Sequence, residues 1–211
     1  MDSAVTLVST QVPGWFGKLP GSGDFAARRL PESARLQLDG WLQAGLQRLR
    51  ERHSDWTARY LESPLWCFLL GENIVGPARW LGVLMPSVDA VGRYFPLIVA
   101  APCNPADGPL PSAWFSCVSR AALDGLERDL DAARFDTALA ACFQQGIAAT
   151  ERAQLGDNPS WPAPSQSLWL TEPGGTSGWQ MRCAGLPLGE RFDALFGFLD
   201  GAWVDHLGAS T

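Results

Sequence analysis

The sequence predicts an α/β fold in which helices cover a sheet. Two apolar runs, Trp80–Met85 and Tyr94–Ala101, lack the alternation of a half-exposed strand, so we expect strands that are buried on both faces. Other segments repeat their apolar residues at helical spacing. The chain has 211 residues, of which 46% are apolar and 18% charged, so it can bury a sizeable core. Together these observations predict a layered domain.

The first third of the chain is predicted to contain one strand and two helices. Strand composition over 12–18 is followed by a loop at 19–28, which contains Gly21 and Gly23. Pro31 fits the start of a helix over about 31–52. The apolar face of that helix carries Leu38, Trp41, Leu42, Leu46 and Leu49. Asp55 is then expected to cap a short helix that runs to about residue 61.

The centre of the chain is predicted to form three strands, because the run Leu65–Leu70 precedes the two already named. Between those two lies a short polar insert, Pro86–Arg93. An eight-residue connection is too short for a parallel crossover, so the strands on either side should be antiparallel neighbours. Loops at strand ends are where such domains place binding and catalytic groups, which makes the insert the first candidate site.

The rest of the chain is predicted to add helices and one hairpin. The expected elements, in chain order, are helices over about 112–132 and 136–150, strands over 167–170 and 178–182 with a turn at 173–175, and a helix over about 187–206. A proline-rich stretch over about 153–166 is expected to be a long surface loop. We expect a single domain over 12–208, preceded by a flexible N-terminus over 1–11.

The charge balance argues against two classes of partner. Sixteen Lys and Arg against 22 Asp and Glu give a net charge of −6, whereas affinity for nucleic acid depends on clustered basic charge. An anionic membrane surface is disfavoured for the same reason. The sequence has no signal peptide and no apolar run of the ~20 residues that a membrane helix needs, so we expect a cytoplasmic protein without membrane insertion.

Cysteine and histidine usage gives no support to a metal or redox cofactor. The five cysteines are scattered among apolar neighbours without a C-x-x-C pair, so all five are expected to be buried, reduced thiols. His53 and His206 are isolated, and each is expected near the end of a helix. The sequence therefore predicts no metal ligands and no cofactor, although a site made only of carboxylates is compatible with it.

Two glycine-containing segments resemble nucleotide-binding motifs only in part. Gly21–Ala26 fits G-x-G-x-x-A, but Pro31 places the helix start too late for the dinucleotide fingerprint. Gly17-Lys18 ends like a phosphate-binding loop, but Val12 replaces its first glycine and Leu19 its Ser or Thr. Nucleotide binding is therefore not expected.

Hydrolase chemistry is the next alternative, because Ser87, Asp89 and Arg93 share the insert and Asp24 lies in the earlier loop. A serine nucleophile needs a base, and neither G-x-S-x-G nor a histidine accompanies Ser87. A structural interpretation is favoured: Ser87 and Asp89 cap turns, Gly92 supplies a positive φ, and Arg93 pairs with a carboxylate such as Asp24 or Asp89.

Aromatic residues in or beside loops suggest a third possibility, which is recognition of another protein. Trp and Arg are frequent anchors of protein interfaces. The aromatic residues in such positions are Trp15, Phe16, Phe25, Trp161 and Trp169. Core packing is the commoner role for any one of them.

The succession of motifs along the chain resembles the TagF (ImpM) family of type VI secretion accessory proteins. The motifs are Gly14–Pro20, Gly23-Asp24-Phe25, Arg29-Leu30-Pro31, Trp80–Val83, Pro86–Asp89, Gly92–Leu97 and Ser167-Leu168-Trp169. Their order and spacing extend over nearly the whole chain, and the most specific parts are 14–31 and 80–97. No single motif is diagnostic, but the succession is.

The resemblance implies a fold and a role. The fold is a three-layer α/β/α sandwich, for which we expect a mixed, partly antiparallel sheet. The role is that of a cytoplasmic bacterial protein that negatively regulates type VI secretion after translation, through contact with the forkhead-associated scaffold protein of the system. Some relatives carry a fused phosphatase domain, for which this chain has no room. The family brings no catalytic residues, so the protein is not expected to be an enzyme.

Two hypotheses follow for the loops. In the first, Gly23-Asp24-Phe25 and the insert lie together and form or support a partner surface, with Asp24, Phe25, Ser87, Asp89, Arg93 and Trp15 as the candidate residues. Reversing the charge of Arg93 should then weaken capture of the scaffold. In the second, Ser87, Asp89, Arg93 and Asp24 converge in a cleft of a hydrolase or of a small-molecule sensor.

Overall fold

The computed structural model describes residues 12–103, 112–150, 160–172, 177–199 and 204–207, without the side chains of 113 and 145–150. The strands are β1 (Gly14–Gly17), β2 (Ala26–Arg28), β3 (Trp66–Leu70), β4 (Arg79–Met85), β5 (Leu97–Cys103), β6 (Gln166–Leu170), β7 (Gly178–Ala184) and β8 (Asp205–Leu207). The helices are α1 (Glu32–Arg52), α2 (Trp56–Glu62), α3 (Ser112–Glu127), α4 (Ala132–Thr150) and α5 (Glu190–Ala194).

The eight described strands form one open sheet in the order β2-β1-β5-β4-β3-β6-β7-β8. Every pairing in it is antiparallel, so the expectation of a mixed sheet is wrong for the described strands. Short connections join β3 to β4, β4 to β5 and β6 to β7, and only antiparallel neighbours can be joined so closely. The predicted antiparallel pairing on either side of the insert is confirmed.

Both faces of the central strands are buried, as the missing alternation predicts. Along β4, Leu81 and Val83 belong to a core that includes residues of α3 and α4. Trp80 and Leu84 of the same strand belong to a second core with residues of α1, α2 and α5. The chain is thus a mixed α/β protein with helical residues in both cores.

Three predicted elements need correction. The segment taken wholly as a loop contains β2, which pairs with β1 and lies at one edge of the sheet. The predicted closing helix is limited to α5, and β8 follows it. Gly197 has φ +90°, and a Cβ there would lie 2.8 Å from the Arg59 carbonyl oxygen, so the chain leaves the helical conformation. Asp55 is the N-cap residue of α2, but its carboxylate accepts from Arg59 Nε at 3.0 Å instead of capping the backbone.

Several expectations lie outside the described residues. These are the flexible N-terminus over 1–11, the turn at 173–175 and residues 153–159 of the proline-rich loop. Among the described residues, none of the helices has the length and apolar character needed to cross a membrane.

The expectation of five reduced thiols is wrong for one pair. Cys117 of α3 and Cys142 of α4 are joined as a disulfide, with their Cα atoms 5.9 Å apart. The packing of two helices brings these positions together, which spacing in the sequence does not reveal. The other three cysteines, Cys67, Cys103 and Cys183, are buried as predicted.

Candidate recognition site

A buried ion pair lies where the two candidate loops meet. Lys18 follows β1 directly, and its Nζ donates to Asp89 Oδ2 at 2.7 Å. The two side chains are 6% and 0% exposed. A charged pair taken out of water needs further hydrogen bonds to compensate for lost hydration, and Asp89 has them.

Asp89 accepts three more hydrogen bonds from its own loop. Arg93 Nε donates to Asp89 Oδ2 at 2.7 Å, and the backbone N–H groups of Arg93 and Val91 donate to Oδ1 at 2.8 and 3.1 Å. Gly92 has φ +81°, as predicted, which lets the chain turn around the carboxylate. Burial by itself would raise the pKa of Asp89, but the donors, led by Lys18, outweigh burial and hold that pKa well below its usual range.

Direct hydrogen bonds join the insert to residues 18–25, which we call the Phe25 loop. Arg93 Nη2 donates to the Gly23 carbonyl at 2.5 Å, and the Ala90 N–H donates to the Ser22 carbonyl at 3.0 Å. Ser87 Oγ donates to the Lys18 carbonyl at 2.7 Å. The structure therefore brings the two predicted loops together.

Residues from the helices of both cores hold these loops. Tyr60 of α2 hydrogen-bonds twice to Ser87: its hydroxyl donates to the carbonyl at 3.0 Å and accepts from the N–H at 3.0 Å. The turn between α3 and α4 supports the Phe25 loop, because the Gly21 N–H donates to the Leu130 carbonyl at 3.2 Å. The Ala132 N–H donates to Ser22 Oγ at 3.2 Å.

Two apolar side chains of the joined loops face solvent. Phe25 is 50% exposed; one edge contact with Phe95 at 4.7 Å holds its ring, and Lys18 Nζ lies 5.1 Å from its centre. Val91 is 69% exposed. Asp24 is exposed too, and its carboxylate accepts from the Phe25 N–H at 2.8 Å instead of pairing with Arg93.

Phe25 also forms part of a groove beside the edge strand β2. The groove has a volume of about 320 Å³ and lies against α1. Its lining residues are Phe16, Phe25, Ala26, Ala27, Arg35, Asp39 and Gln43. Ser87, Asp89 and Arg93 do not line it, so the polar residues of the insert and this groove are separate features.

Trp15 belongs to the core and not to the joined loops. It is fully buried, its ring meets Phe135 edge to face at 5.0 Å, and its Nε1 donates to Asp136 Oδ1 at 2.8 Å. Arg29 binds the same carboxylate through both terminal nitrogens and lowers the pKa of Asp136. Trp169 is likewise buried, and Trp161 is half-buried.

The arrangement around Ser87 is not that of an activated nucleophile. Its hydroxyl is buried and donates to a backbone carbonyl, whereas a nucleophile needs a base that takes its proton. His53 lies against Asp193 and Phe198, and His206 packs against Trp179, so neither ring contacts the insert. Among the described residues, no three His, Cys, Asp or Glu side chains are grouped as a metal site.

Lys18 and Tyr60 both bind the insert directly, and neither was predicted as a site residue from the sequence. Lys18 is the single charge in the apolar run Trp15–Leu19, which is a local signal for a buried, paired cation. Nothing in the sequence near Tyr60 indicates its contact with Ser87, which is 27 residues away.

Comparison with known proteins identifies a matching family model and similar solved structures. A family model described as the TagF N-terminal domain, type VI secretion system-associated, matches residues 14–142 of this chain. Among solved structures, the chain is similar to PA0076 from Pseudomonas aeruginosa PAO1, determined as a crystal structure at 2.05 Å resolution. The two are 30% identical, with 87% of this chain and 93% of that chain covered and a TM-score of 0.69. No curated protein matches.

Proposed function

The chain belongs to the TagF family of type VI secretion system-associated proteins, and from this premise we propose a non-enzymatic accessory role in the cytoplasm. In this proposal the protein negatively regulates assembly or firing of the system after translation, through contact with another protein. The proposed partner is the forkhead-associated scaffold protein of the system. We also propose the three-layer α/β/α arrangement of the family, which the two cores with helical residues support.

One observation carries the proposal: buried polar contacts fix two loops that expose apolar side chains. Lys18, Asp89 and Arg93 connect the loops, and they leave Phe25 and Val91 facing solvent. Interfaces gain affinity when the contacting loops are already ordered, because less conformational entropy is lost on binding. A fixed aromatic side chain beside a groove is a suitable anchor for a partner.

The second hypothesis, a hydrolase or a small-molecule sensor, has less support. It needs Ser87, Asp89, Arg93 and Asp24 to converge in a cleft with free polar atoms. Instead, Asp89 is neutralised by two cations, and Ser87 donates to a backbone carbonyl. We therefore assign these groups to loop structure and the exposed residues to recognition.

A binding experiment with matched surface variants tests the proposal. The bait is the full chain, wild type or Val91→Asp, and the prey is the purified forkhead-associated scaffold. Leu188→Asp is the control, because Leu188 is also an exposed apolar residue outside the helices and strands (64% against 69% exposed). The Arg93→Glu variant is less suitable, since it would also repel the buried Asp89.

We expect Val91→Asp to weaken capture at least tenfold and Leu188→Asp to leave it unchanged, because one buried charge at an interface centre costs more than 1.4 kcal/mol. Both variants should melt within about 2 °C of wild type, since each change is on the surface. Equal capture of the scaffold by all three proteins would show that the insert is not part of the interface. Failure of the wild-type protein to bind the scaffold would show that the scaffold is not its partner.

A further inference from the structure

The disulfide between α3 and α4 lies where it can be reduced and formed again. Cys117 and Cys142 have Cα atoms 5.9 Å apart, within the range that a disulfide spans. Cys117 is 6% exposed, whereas Cys142 is only partly buried. Small oxidants and reductants can therefore reach the pair from the Cys142 side.

The remaining three cysteines are poor competitors for oxidation. Burial raises the pKa of Cys67 to about 12 and that of Cys183 to about 11. Cys103 is also buried. Oxidants react with the thiolate, so thiols held protonated in the core react slowly. Of the five cysteines, all of them described, only the pair combines a neighbouring sulfur with partial exposure.

We propose that Cys117 and Cys142 form a reversible redox pair that responds to hydrogen peroxide. The Cys142 thiol loses its proton to solvent, its thiolate attacks one peroxide oxygen, and the O–O bond breaks to give a sulfenic acid and hydroxide. The hydroxide takes up a proton and leaves as water. The Cys117 sulfur then attacks the Cys142 sulfur, the S–S bond forms, and a second water leaves. The two thiols are oxidised by two electrons and the peroxide is reduced by two. A dithiol reductant reverses the bond by exchange.

The bond has a structural consequence for the Phe25 loop. It links α3 to α4 covalently, and the turn between these helices holds Gly21 and Ser22 through two hydrogen bonds. Restricting the two helices should restrict opening of that turn. The oxidised protein is therefore expected to hold the loop more firmly than the reduced protein. This inference is independent of the proposed function.

The test begins with the full chain reduced by dithiothreitol and then treated with hydrogen peroxide. Differential alkylation and peptide mass spectrometry should find Cys117 linked to Cys142, while the other three cysteines stay reduced until denaturation. Closing a loop over 25 residues should raise the melting temperature by about 5–10 °C, and dithiothreitol should reverse the shift. Hydrogen exchange of the Gly21 N–H should slow about tenfold or more in the oxidised form.

Variants give the controls. Cys142→Ser should abolish the linkage, the melting shift and the change in exchange, whereas Cys183→Ser should retain all three. Oxidation of the buried cysteines at the same rate as the pair would overturn the redox assignment. Linkage without a change in Gly21 exchange would overturn the link to the Phe25 loop.

Discussion

Replacing Tyr60 with Phe removes one oxygen atom and tests how the insert is held. The Tyr60 ring is fully buried, so the variant keeps its packing and creates little empty space. The Ser87 carbonyl keeps a second donor, the Phe95 N–H at 3.1 Å, but the Ser87 N–H loses the hydroxyl that accepts from it. Leaving one buried donor unpaired costs about 1–3 kcal/mol. We expect a loss of about 2 kcal/mol, or roughly 30-fold in the folding equilibrium.

Urea unfolding followed by tryptophan fluorescence measures this loss. The chain has only two tyrosines, and Tyr94→Phe is the matched control. The Tyr94 ring packs against Trp56 and Tyr60, but its hydroxyl makes no hydrogen bond within the described part of the chain. Tyr94→Phe should change the free energy of unfolding by less than about 0.5 kcal/mol. Equal losses in the two variants would show that the hydroxyl of Tyr60 does not hold the insert.

Two other changes act on the same loops. Asp89→Asn leaves the buried Lys18 cation without its counter-charge and should lower the urea midpoint clearly more than Asp24→Asn, which alters an exposed turn. The pKa of Asp89 is depressed in the folded protein, so ionised Asp89 stabilises the fold above the unfolded pKa of about 3.9, and this contribution is lost as the pH falls below it. The melting temperature of wild type should therefore fall more steeply than that of Asp89→Asn between about pH 5 and pH 2.5, and parallel curves would contradict this. Gly21→Ala places a Cβ 2.4 Å from the Asp129 carbonyl oxygen and 2.6 Å from the Asp131 nitrogen. Circular dichroism melts should therefore show a free energy of unfolding lower by about 1–3 kcal/mol. Gly23→Ala is the control and should lower it far less, because a Cβ at Gly23 meets no atom within 4 Å.

The central sheet could be predicted from the sequence because burial on both faces leaves a local signal. Along β4, the residues that belong to either core must be apolar, and this removes the alternation of a half-exposed strand. The helix α1 was equally evident, since its buried residues repeat at helical spacing along one face. The short connection through the insert then fixed the antiparallel pairing of β4 with β5.

Elements held by distant contacts left no such signal. β2 has only three residues, and it is a strand because it pairs with β1, not because of its own composition. The end of α5 depends on Gly197 lying against the Arg59 backbone, which is 138 residues away. The disulfide likewise joins positions that only the packing of α3 against α4 makes neighbours. Sequence periodicity reports burial within one element and is silent about which elements meet.

The polar residues of the insert illustrate the limit for function. Ser87, Asp89 and Arg93 looked like reactive groups because polar side chains share a loop, yet sequence gives no burial for them. Asp89 is inaccessible and already paired, so it can affect a partner only through the position of the loop. Phe25 and Val91 are accessible, so they can affect binding directly. Substitutions of buried residues should therefore lower stability and binding together, whereas substitutions of exposed residues should lower binding alone. That separation distinguishes a preorganised recognition surface from a catalytic site, in which the buried polar groups themselves would have to contact the ligand.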